Sequence, residues 1–281
     1  MVTEARQLTA GQMQAIAGHY GHESVFVTDL TPTRASLRFF VPRHEMRMCV
    51  HATIAAITAL AGSDAIVAGG AVVSTASGEH RVSWKGGERL EVTVEQAAPW
   101  FGPPAAVHAE MSVALGLPES SIAGAALIRP VSVSRAKLIV PLRDADAVHQ
   151  ASPDFPALWE VCRRLGTTGA YVFAPHPDGD PRHVVARQFP VDAGYPEDPA
   201  TGVAAAALAA YLAADLQPAR SAWRGITIDQ GDTSFVRAAA LAGPEGTTRT
   251  SVTGRAVRTG QAQLSLSAIT GERDLPEPEL R

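Results

Sequence analysis

The chain has 281 residues, of which 46% are hydrophobic and 19% charged, and its formal net charge is −4. This length suits one large domain or two smaller ones. The mild acidity argues against nucleic acid or anionic lipid as the main partner. Two cysteines, Cys49 and Cys162, exclude a disulfide scaffold and a four-cysteine zinc site. The two lysines, Lys85 and Lys137, lie in settings that do not favour Schiff-base chemistry.

The N-terminal residues lack the basic start and the apolar stretch of a signal peptide. No apolar segment free of charged residues is long enough to span a bilayer. We therefore expect a soluble, cytoplasmic protein that does not bind a membrane.

The first predicted element is a helix with a recognisable start. Thr9, with Gln12 three positions later, forms a capping-box pattern, and Gly18 and Gly21 are predicted to end the helix. Alternating apolar residues then predict a series of strands. In the first half these strands cover 24–28, 35–41, 72–75, 80–84 and 89–94, and a helix covers 104–115.

The second half follows the same style of pattern. A helix is predicted to start at Asp154 and to end at Gly166. The predicted strands cover 137–141, 170–173, 225–228, 235–241 and 261–266.

Two segments with helical propensity, 49–62 and 199–214, contain no Asp, Glu, Lys or Arg. A helix that is apolar on every side is expected to be buried on every side. Arg38 precedes His51 by thirteen positions, and Arg187 precedes Ala200 by the same number. Matching strand–loop–helix units at equal spacing predict two pseudo-symmetric halves.

The expected fold class is α/β of the α+β type. Each half is predicted to be a curved, mostly antiparallel sheet around a buried helix, with a cleft between the halves. The predicted halves are residues 1–122, with central helix 51–61, and residues 123–268, with central helix 200–214. Residues 269–281 are predicted to be a disordered tail. Helix N-termini attract anions, so this cleft would suit a small molecule that carries a carboxylate.

Three ionisable residues, Glu23, His51 and Asp198, stand at the edges of these elements. An apolar cleft would raise the pKa of Glu23, which could then act as a general base and afterwards as a general acid. Simpler interpretations stay open: Glu23 as a solvated turn residue, His51 as a packed residue, Asp198 as an N-cap. His19 and His22 could bind a metal, but the sequence offers no second run of ligands.

The segments Arg38-Phe39-Phe40, Cys49-Val50-His51-Ala52-Thr53 and Glu197-Asp198-Pro199-Ala200-Thr201-Gly202 resemble the signatures of the PhzF-like isomerases. This family has the diaminopimelate-epimerase fold. The resemblance implies two similar domains with the active site between them, a homodimer, and no metal or organic cofactor. It places the catalytic residues at Glu23, His51 and Asp198.

The resemblance also implies where a substrate would bind. Backbone N–H groups near His51–Thr53 and Ala200–Val203 would stabilise the charge that develops during proton transfer. The expected substrate-binding residues are Val50, Ala52, Thr53, Thr201, Gly202, Val203 and His22.

The chain departs from the family pattern at several positions. Val50 replaces a glycine before the histidine, and Val203 replaces a serine, which would make the pocket more apolar. His22 replaces a small residue before the glutamate and could be an additional acid, base or partner of Glu23. The chain also begins after an N-terminal segment that family members commonly have, so we expect a differently completed sheet or a more open site.

The leading hypothesis is a cofactor-independent isomerase that moves a double bond in a small, unsaturated cyclic carboxylic or amino acid. Composition and resemblance favour antibiotic biosynthesis, and a 4-alkylproline-type precursor is one candidate substrate. The alternative is a non-catalytic binding or scaffolding member of the fold. A third hypothesis is a hydrolase or metal enzyme that uses His19 and His22. Cys49 has no cysteine partner near Pro199–Gly202, which argues against a two-thiol racemase.

Overall fold

The computed structural model describes residues 1–266 and 269, apart from 64, 67–68, 87–89, 125–126, 192, 194, 216–221, 231–233 and 244–245. The chain forms two compact units. Unit 1 comprises Met1–Val92 with Arg255–Arg281, and unit 2 comprises Thr93–Gly254. The division into halves at residue 122 stays a prediction, and each unit is described below by itself.

Among the described residues, unit 1 contains two α-helices and a small mixed sheet. Its elements are α1 (Ala10–Tyr20), β1 (Ser24–Thr31), β2 (Arg34–Phe40), β3 (Glu45–Met46), α2 (Val50–Ala61), β4 (Gly70–Thr75) and β5 (Gly78–Lys85). The strand order is β1-β2-β4-β5, and β3 pairs with the end of β2. The β1–β2 and β4–β5 pairs are antiparallel, whereas β2 and β4 are parallel.

The start of α1 follows the sequence prediction. The Thr9 hydroxyl accepts the Gln12 backbone N–H, and the Gln12 side chain accepts the Thr9 N–H, so the predicted capping box is confirmed. Gly18 lies inside the helix instead of ending it. The helix ends at Gly21, whose φ of 67° is the left-handed conformation that glycine adopts at helix ends.

In the part that the structure describes, unit 2 contains four α-helices and a mixed sheet with more strands than the sheet of unit 1. Its elements are β6 (Glu91–Gln96, which starts in unit 1), β7 (Trp100–Phe101), α3 (His108–Leu115), β8 (Arg129–Ser132), β9 (Lys137–Pro141), α4 (Ala145–Gln150), α5 (Phe155–Arg164), β10 (Gly169–Pro175), β11 (His183–Pro190), α6 (Gly202–Asp215), β12 (Ala222–Gln230), β13 (Ser234–Gly243) and β14 (Gly246–Gly254). The strand order is β6-β14-β13-β12-β11-β10-β9-β8-β7. The β9–β10 and β11–β12 pairs are parallel.

The predicted strand at residues 261–266 is wrong, and most of the predicted tail lies outside the residues that the structure describes. Residues 261–265 form no regular element. The predicted strands also leave out β8 and β11, and they leave out β14, Gly246–Gly254. This segment is rich in threonine and serine and has little apolar alternation, so its burial signal is weak. Of the predicted tail, residues 270–281 lie outside the described residues.

The two apolar helices differ in burial. In α6 the residues from Gly202 to Tyr211 are buried, as predicted. In α2, however, His51 and Ala55 are exposed, so the prediction of burial on every side is wrong for this helix. The amino-acid composition of a helix determines how apolar the helix is. Which of its sides are buried depends on the elements that pack against it. No helix among the described residues is long and apolar enough to cross a membrane.

Gly169, the first residue of β10, has a φ of 149° and almost no space around its Cα. A Cβ there would lie 2.5 Å from the Phe189 carbonyl oxygen and 2.6 Å from Gln188 Nε2. Gly166 also has a positive φ, 65°, but a Cβ on it would meet no atom within 4 Å.

We expect Gly169→Ala to lower the free energy of unfolding by about 3 kcal/mol or more, because the new methyl group clashes with backbone in a strained conformation. Gly166→Ala, the matched control, should cost about 1 kcal/mol, since it adds only the left-handed strain. Urea denaturation of both variants measures the difference. Equal losses would contradict the close contact at Gly169.

Candidate active site

The loop before α2 is held by an arginine on β2. Arg38 Nε and Nη2 donate to Glu45 Oε1 and Oε2 at 2.7 and 2.8 Å, a bidentate pair. The guanidinium also lies 5.2 Å from the centre of the Phe40 ring. Because Glu45 is in β3, the pair ties the end of β2 to the chain that leads into the helix.

Three side chains with acid–base capacity meet at the start of α2. Cys49 is the residue before the helix, and its thiol donates to Glu23 Oε2 at 3.2 Å. The same carboxylate oxygen contacts His51 Nε2. The Cys49 sulfur lies 3.6 and 3.5 Å from the two ring nitrogens of His51. We name Glu23, Cys49 and His51 the acid–base cluster.

The protonation of this cluster follows from burial and from the mutual contacts. Burial raises the pKa of the Cys49 thiol, so the sulfur keeps its proton. The S–H group then donates a hydrogen bond to the Glu23 carboxylate. Burial alone would lower the pKa of His51, but its contacts with Cys49 and Glu23 outweigh burial and raise that pKa. These contacts therefore favour the imidazolium form of His51 beside Glu23.

The other predicted residues near α2 are placed differently. Val50 and Ala52 are buried, and the fully buried Thr53 donates its hydroxyl to the Cys49 carbonyl oxygen at 2.7 Å. His22 is exposed, and its carbonyl oxygen accepts the Ser24 hydroxyl.

The loop before α6 is held by a second arginine in the same manner. Arg187 Nε and Nη2 donate to Glu197 Oε1 and Oε2 at 3.0 and 2.7 Å. Its guanidinium lies 4.8 Å from the centre of the Phe189 ring. The remaining nitrogen, Nη1, donates to three carbonyl oxygens at the end of α4, those of Val148, His149 and Ala151.

Asp198 belongs to a hydrogen-bonded network around the Gln230 amide. Asp198 Oδ2 accepts the Thr201 hydroxyl at 2.6 Å, and Oδ1 accepts the Ala200 N–H at 3.2 Å. Gln230 Nε2 donates to the Asp198 carbonyl oxygen and to Thr201 Oγ1 at 2.7 and 3.1 Å. Gln230 Oε1 accepts the Thr201 N–H and the Tyr171 hydroxyl at 3.3 and 2.9 Å.

This network fixes the segment that leads into α6. The helix begins at Gly202, so the Asp198 carboxylate caps the preceding turn and not the helix itself. Gly202 and Val203 are buried at the helix start. Thr201 and Asp198 are thus brought together in unit 2, as expected for residues of one site.

Two residues near these sites were not singled out from the sequence. Cys49 has no predicted role in proton transfer, although its position directly before a helix start, two residues from a histidine, is an available signal. Lys137 has no predicted role either. It is the first residue of β9, and all residues of this strand are buried. Burial and the nearby Arg135 charge together lower the pKa of Lys137 to about 8, although the Asp198 charge opposes both.

The acid–base cluster could also hold a metal ion, because one donor atom from each of its residues lies within 4.8 Å of the others. A carboxylate, a thiol and an imidazole are a donor set that zinc accepts. His19 and His22 are not part of any such three-residue group among the described residues.

An acid–base cluster at a helix start, in a mixed α+β fold, is the kind of site that proton-transfer enzymes use. The model of the family described as phenazine biosynthesis-like protein, PhzC-PhzF, matches residues 1–262 of the chain. A Deinococcus radiodurans protein described as an uncharacterized isomerase is 33% identical over 222 residues, which cover 76% of this chain and 70% of that protein. The chain belongs to the phenazine biosynthesis-like family, and it is an enzyme of the isomerase type.

Solved structures agree on the fold. A PhzF-family phenazine biosynthesis protein from Bacillus anthracis has a TM-score of 0.77 at 23% identity, and the match covers 89% of this chain and 87% of that chain. A probable proline racemase from Agrobacterium radiobacter has a TM-score of 0.66 at 11% identity, with 95% and 84% covered. At these identities the likeness shows the fold alone. The predicted fold class and the predicted family are confirmed.

Two buried glutamines of β11 and β12 offer a test of the Gln230 network. Gln230 and Gln188 are both fully buried. Gln230 uses its amide in four hydrogen bonds. Neither amide atom of Gln188 has a hydrogen-bond partner among the described residues.

We expect Gln230→Leu to cost about 2–4 kcal/mol of unfolding free energy, because it leaves the Tyr171 hydroxyl and the Thr201 N–H without their acceptor. Gln188→Leu should be neutral or stabilising, since it removes two unpaired polar atoms and keeps the volume. Urea denaturation decides between these outcomes. A larger loss for Gln188→Leu would contradict the assignment of the network to Gln230.

Proposed function

We propose that the chain is a cofactor-independent isomerase that moves a double bond by transferring a proton between carbon atoms. The observation that carries this proposal is the acid–base cluster, in which the Glu23 carboxylate is held between a protonated thiol and an imidazole. A C–H bond is a weak acid, so its transfer needs a positioned base and nearby positive charge.

In this mechanism Glu23 is the base. The carboxylate accepts a proton from one carbon and so acts as a base. The carboxylic acid formed in this step then returns the proton to another carbon and so acts as an acid. The Cys49 thiol donates to Oε2 and keeps that oxygen oriented while the proton is absent. Since the His51 side chain is 49% exposed, a substrate can reach its imidazolium, which would stabilise a substrate carboxylate or enolate.

The helix start adds to this stabilisation. Glu23 contacts the residue before α2 and the second residue of the helix, so its carboxylate lies at the helix N-terminus. The positive end of the helix dipole favours negative charge there, including charge that develops on a bound substrate.

Asp198 is proposed as the catalytic carboxylate of unit 2, as the family resemblance implies. Its two oxygens accept from Ala200 and Thr201, and these bonds hold the turn before α6 in one conformation. The Asp198 charge in turn attracts the buried Lys137 of the same unit and opposes the lowering of the Lys137 pKa.

The proposed substrate is a small, unsaturated cyclic carboxylic or amino acid, processed in antibiotic biosynthesis. The 4-alkylproline-type precursors are our specific candidates. Val50 and Val203 support this choice, because they put buried apolar side chains at the starts of both central helices, where alkyl groups would be accepted. We further propose that the enzyme acts as a cytoplasmic homodimer without metal or organic cofactor.

The direct test is deuterium uptake from heavy water. The protein is incubated with a panel of unsaturated cyclic amino acids, with alkylated and unalkylated members, and the products are followed by mass and proton spectra. We expect label in a substrate or its isomer with the wild type. Glu23→Gln should slow this exchange at least about 100-fold, because an amide cannot accept the proton.

The matched control is Glu79→Gln, which changes an exposed carboxylate on β5 of the same unit and should retain most of the exchange. Loss of exchange in both variants would point to a folding defect instead of a lost base. Full exchange in Glu23→Gln would refute Glu23 as the base. A panel that demonstrably binds but takes up no label would favour a binding protein.

The His51–Glu23 contact predicts a pH-dependent stability. Contact with Cys49 and Glu23 raises the pKa of folded His51, so the stabilisation is fully present below the ordinary imidazole value, as long as Glu23 is ionised. It is lost as the pH rises through the raised value. Because His51 is half exposed, its size should stay below about 1 kcal/mol.

We therefore expect the stability difference between wild type and His51→Gln to be larger at about pH 7 than at about pH 10. Urea denaturation at several pH values measures it, and His44→Gln, an exposed histidine of the same unit, is the control. A difference that vanishes already near the ordinary pKa of imidazole would show that the cluster does not hold a proton on His51.

A further inference from the structure

One face of the unit 2 sheet carries two buried polar side chains, those of Lys137 in β9 and Gln188 in β11. Lys137 is 5% exposed, and Gln188 is fully buried. Their chain neighbours Leu138 and Phe189 belong to a hydrophobic cluster that includes residues of α3, α4 and α5. Because successive residues of a strand point to opposite faces, Lys137 and Gln188 both lie on the face away from that cluster.

Gly169 in β10 lies between these two side chains. Strand β10 stands between β9 and β11, and its Ala170 pairs with Leu138, so Gly169 lies beside Lys137. The Gln188 amide reaches the same glycine, since a Cβ on Gly169 would lie 2.6 Å from Gln188 Nε2. No side chain of β10 therefore separates Lys137 from the Gln188 amide at this position.

Neither of the two side chains has the partner that burial demands. Both amide atoms of Gln188 lack a hydrogen-bond partner in the part of the chain that the structure describes. Within the same part, the charged groups near Lys137 act on it through charge alone, without a hydrogen bond. A buried ammonium and a buried amide each cost free energy unless they are bonded. Two such groups on either side of one glycine indicate that a ligand completes them.

The charges around Lys137 favour an anion as that ligand. The Arg135 charge repels the Lys137 ammonium, and the Asp198 charge attracts it. Both oxygens of Asp198 already accept hydrogen bonds from the turn before α6. Cys162, the third group near Lys137, keeps its proton because burial raises the pKa of its thiol. A further negative charge beside Lys137 would therefore be favourable.

We propose that Lys137 and Gln188 bind the carboxylate of the substrate, whose chemical class rests on the proposed function. The Lys137 ammonium donates to one carboxylate oxygen and Gln188 Nε2 donates to the other. Gln188 Oε1 then accepts an N–H of the same molecule, which a cyclic amino acid offers. The binding residues predicted for this unit, Thr201, Gly202 and Val203, carry no charge, so Lys137 adds the charged contact that they lack.

The turn before α6 gives a small ligand a path to this pair. The Asp198 N–H donates to the Gln188 carbonyl oxygen at 3.0 Å, so the turn lies beside Gln188. Asp198 and Thr201 are partly exposed, and Pro199 is exposed. The ligand enters along this turn, and the deep burial of Lys137 and Gln188 restricts the site to small molecules.

The test exploits the fact that Lys85 and Lys137 are the two lysines of the chain. The full chain labelled with carbon-13 in lysine gives two ε-carbon signals by NMR, and Lys85→Met assigns them. The Lys137 signal should titrate near pH 8 in the free protein. Saturation with dehydroproline, an unsaturated cyclic amino acid, should raise this midpoint by about 1 pH unit or more, because a bound carboxylate favours the ammonium.

Dehydroprolinamide, which has the same ring without the negative charge, is the matched ligand and should leave the midpoint unchanged. Lys137→Met and Gln188→Leu should each weaken dehydroproline binding at least about tenfold, because each removes a hydrogen bond to a charged group. Binding of the amide should be equal in wild type and Lys137→Met. Lys85→Met, which removes an exposed lysine of unit 1, is the control and should bind both ligands as the wild type does. Circular dichroism verifies that each variant is folded.

A Lys137 midpoint that stays near pH 8 while dehydroproline saturates the protein would overturn the proposal, and this measurement needs no variant of Lys137. Equal losses for the amino acid and its amide in Lys137→Met would also overturn it, as would an absence of saturable dehydroproline binding at millimolar concentration. The proposed function is tested separately by deuterium uptake. A panel that binds through Lys137 without taking up label would contradict the isomerase and leave the carboxylate site in place.

Discussion

Each central helix follows a loop that one arginine holds through two nitrogens of its guanidinium, Nε and Nη2. Arg38 binds Glu45 ahead of α2, and Arg187 binds Glu197 ahead of α6. In both cases the guanidinium also lies over the ring of the phenylalanine two residues later. A bidentate pair fixes direction as well as distance, so it sets where the helix starts and which side chains stand there. The rest of each site depends on that position.

The two loops end in different chemistry although they are held alike. Ahead of α2 the chain delivers Cys49 and His51 to Glu23, three groups that can each gain or lose a proton. Ahead of α6 it delivers Asp198 and Thr201 to the neutral amide of Gln230. In the first arrangement the ionisable groups contact one another, so the charge of each affects the others. In the second, hydrogen bonds to Ala200, Thr201 and Gln230 hold Asp198 in one position.

Features that depend on residues close together in the chain could be predicted from the sequence, whereas contacts between distant residues could not. Local signals, such as the Thr9 capping box, and the spacing of Arg38 and Arg187 ahead of their helices were readable, because neighbours in the chain decide them. The cluster contact of Cys49 joins residues twenty-six positions apart and could not be read from composition. The depressed pKa of Lys137 has the same origin, since the tertiary fold and not the local sequence decides what surrounds the side chain. The family resemblance supplied Glu23, His51 and Asp198, which local rules alone left open.

One strand connects the Gln230 network with a pair of stacked histidines, His176 and His183. Successive residues of a strand point to opposite faces, so Gln230 lies in the core while its neighbour Asp229 reaches these partly exposed histidines. Parallel pairing of β11 with β12 places Asp229 opposite Val185 and Gln230 opposite Ala186. A shift of one residue would bury a carboxylate among apolar side chains and turn the amide away from Asp198. The register is therefore fixed from both faces, and the turn before α6 inherits its position from the same alignment that places Asp229 beside the two histidines.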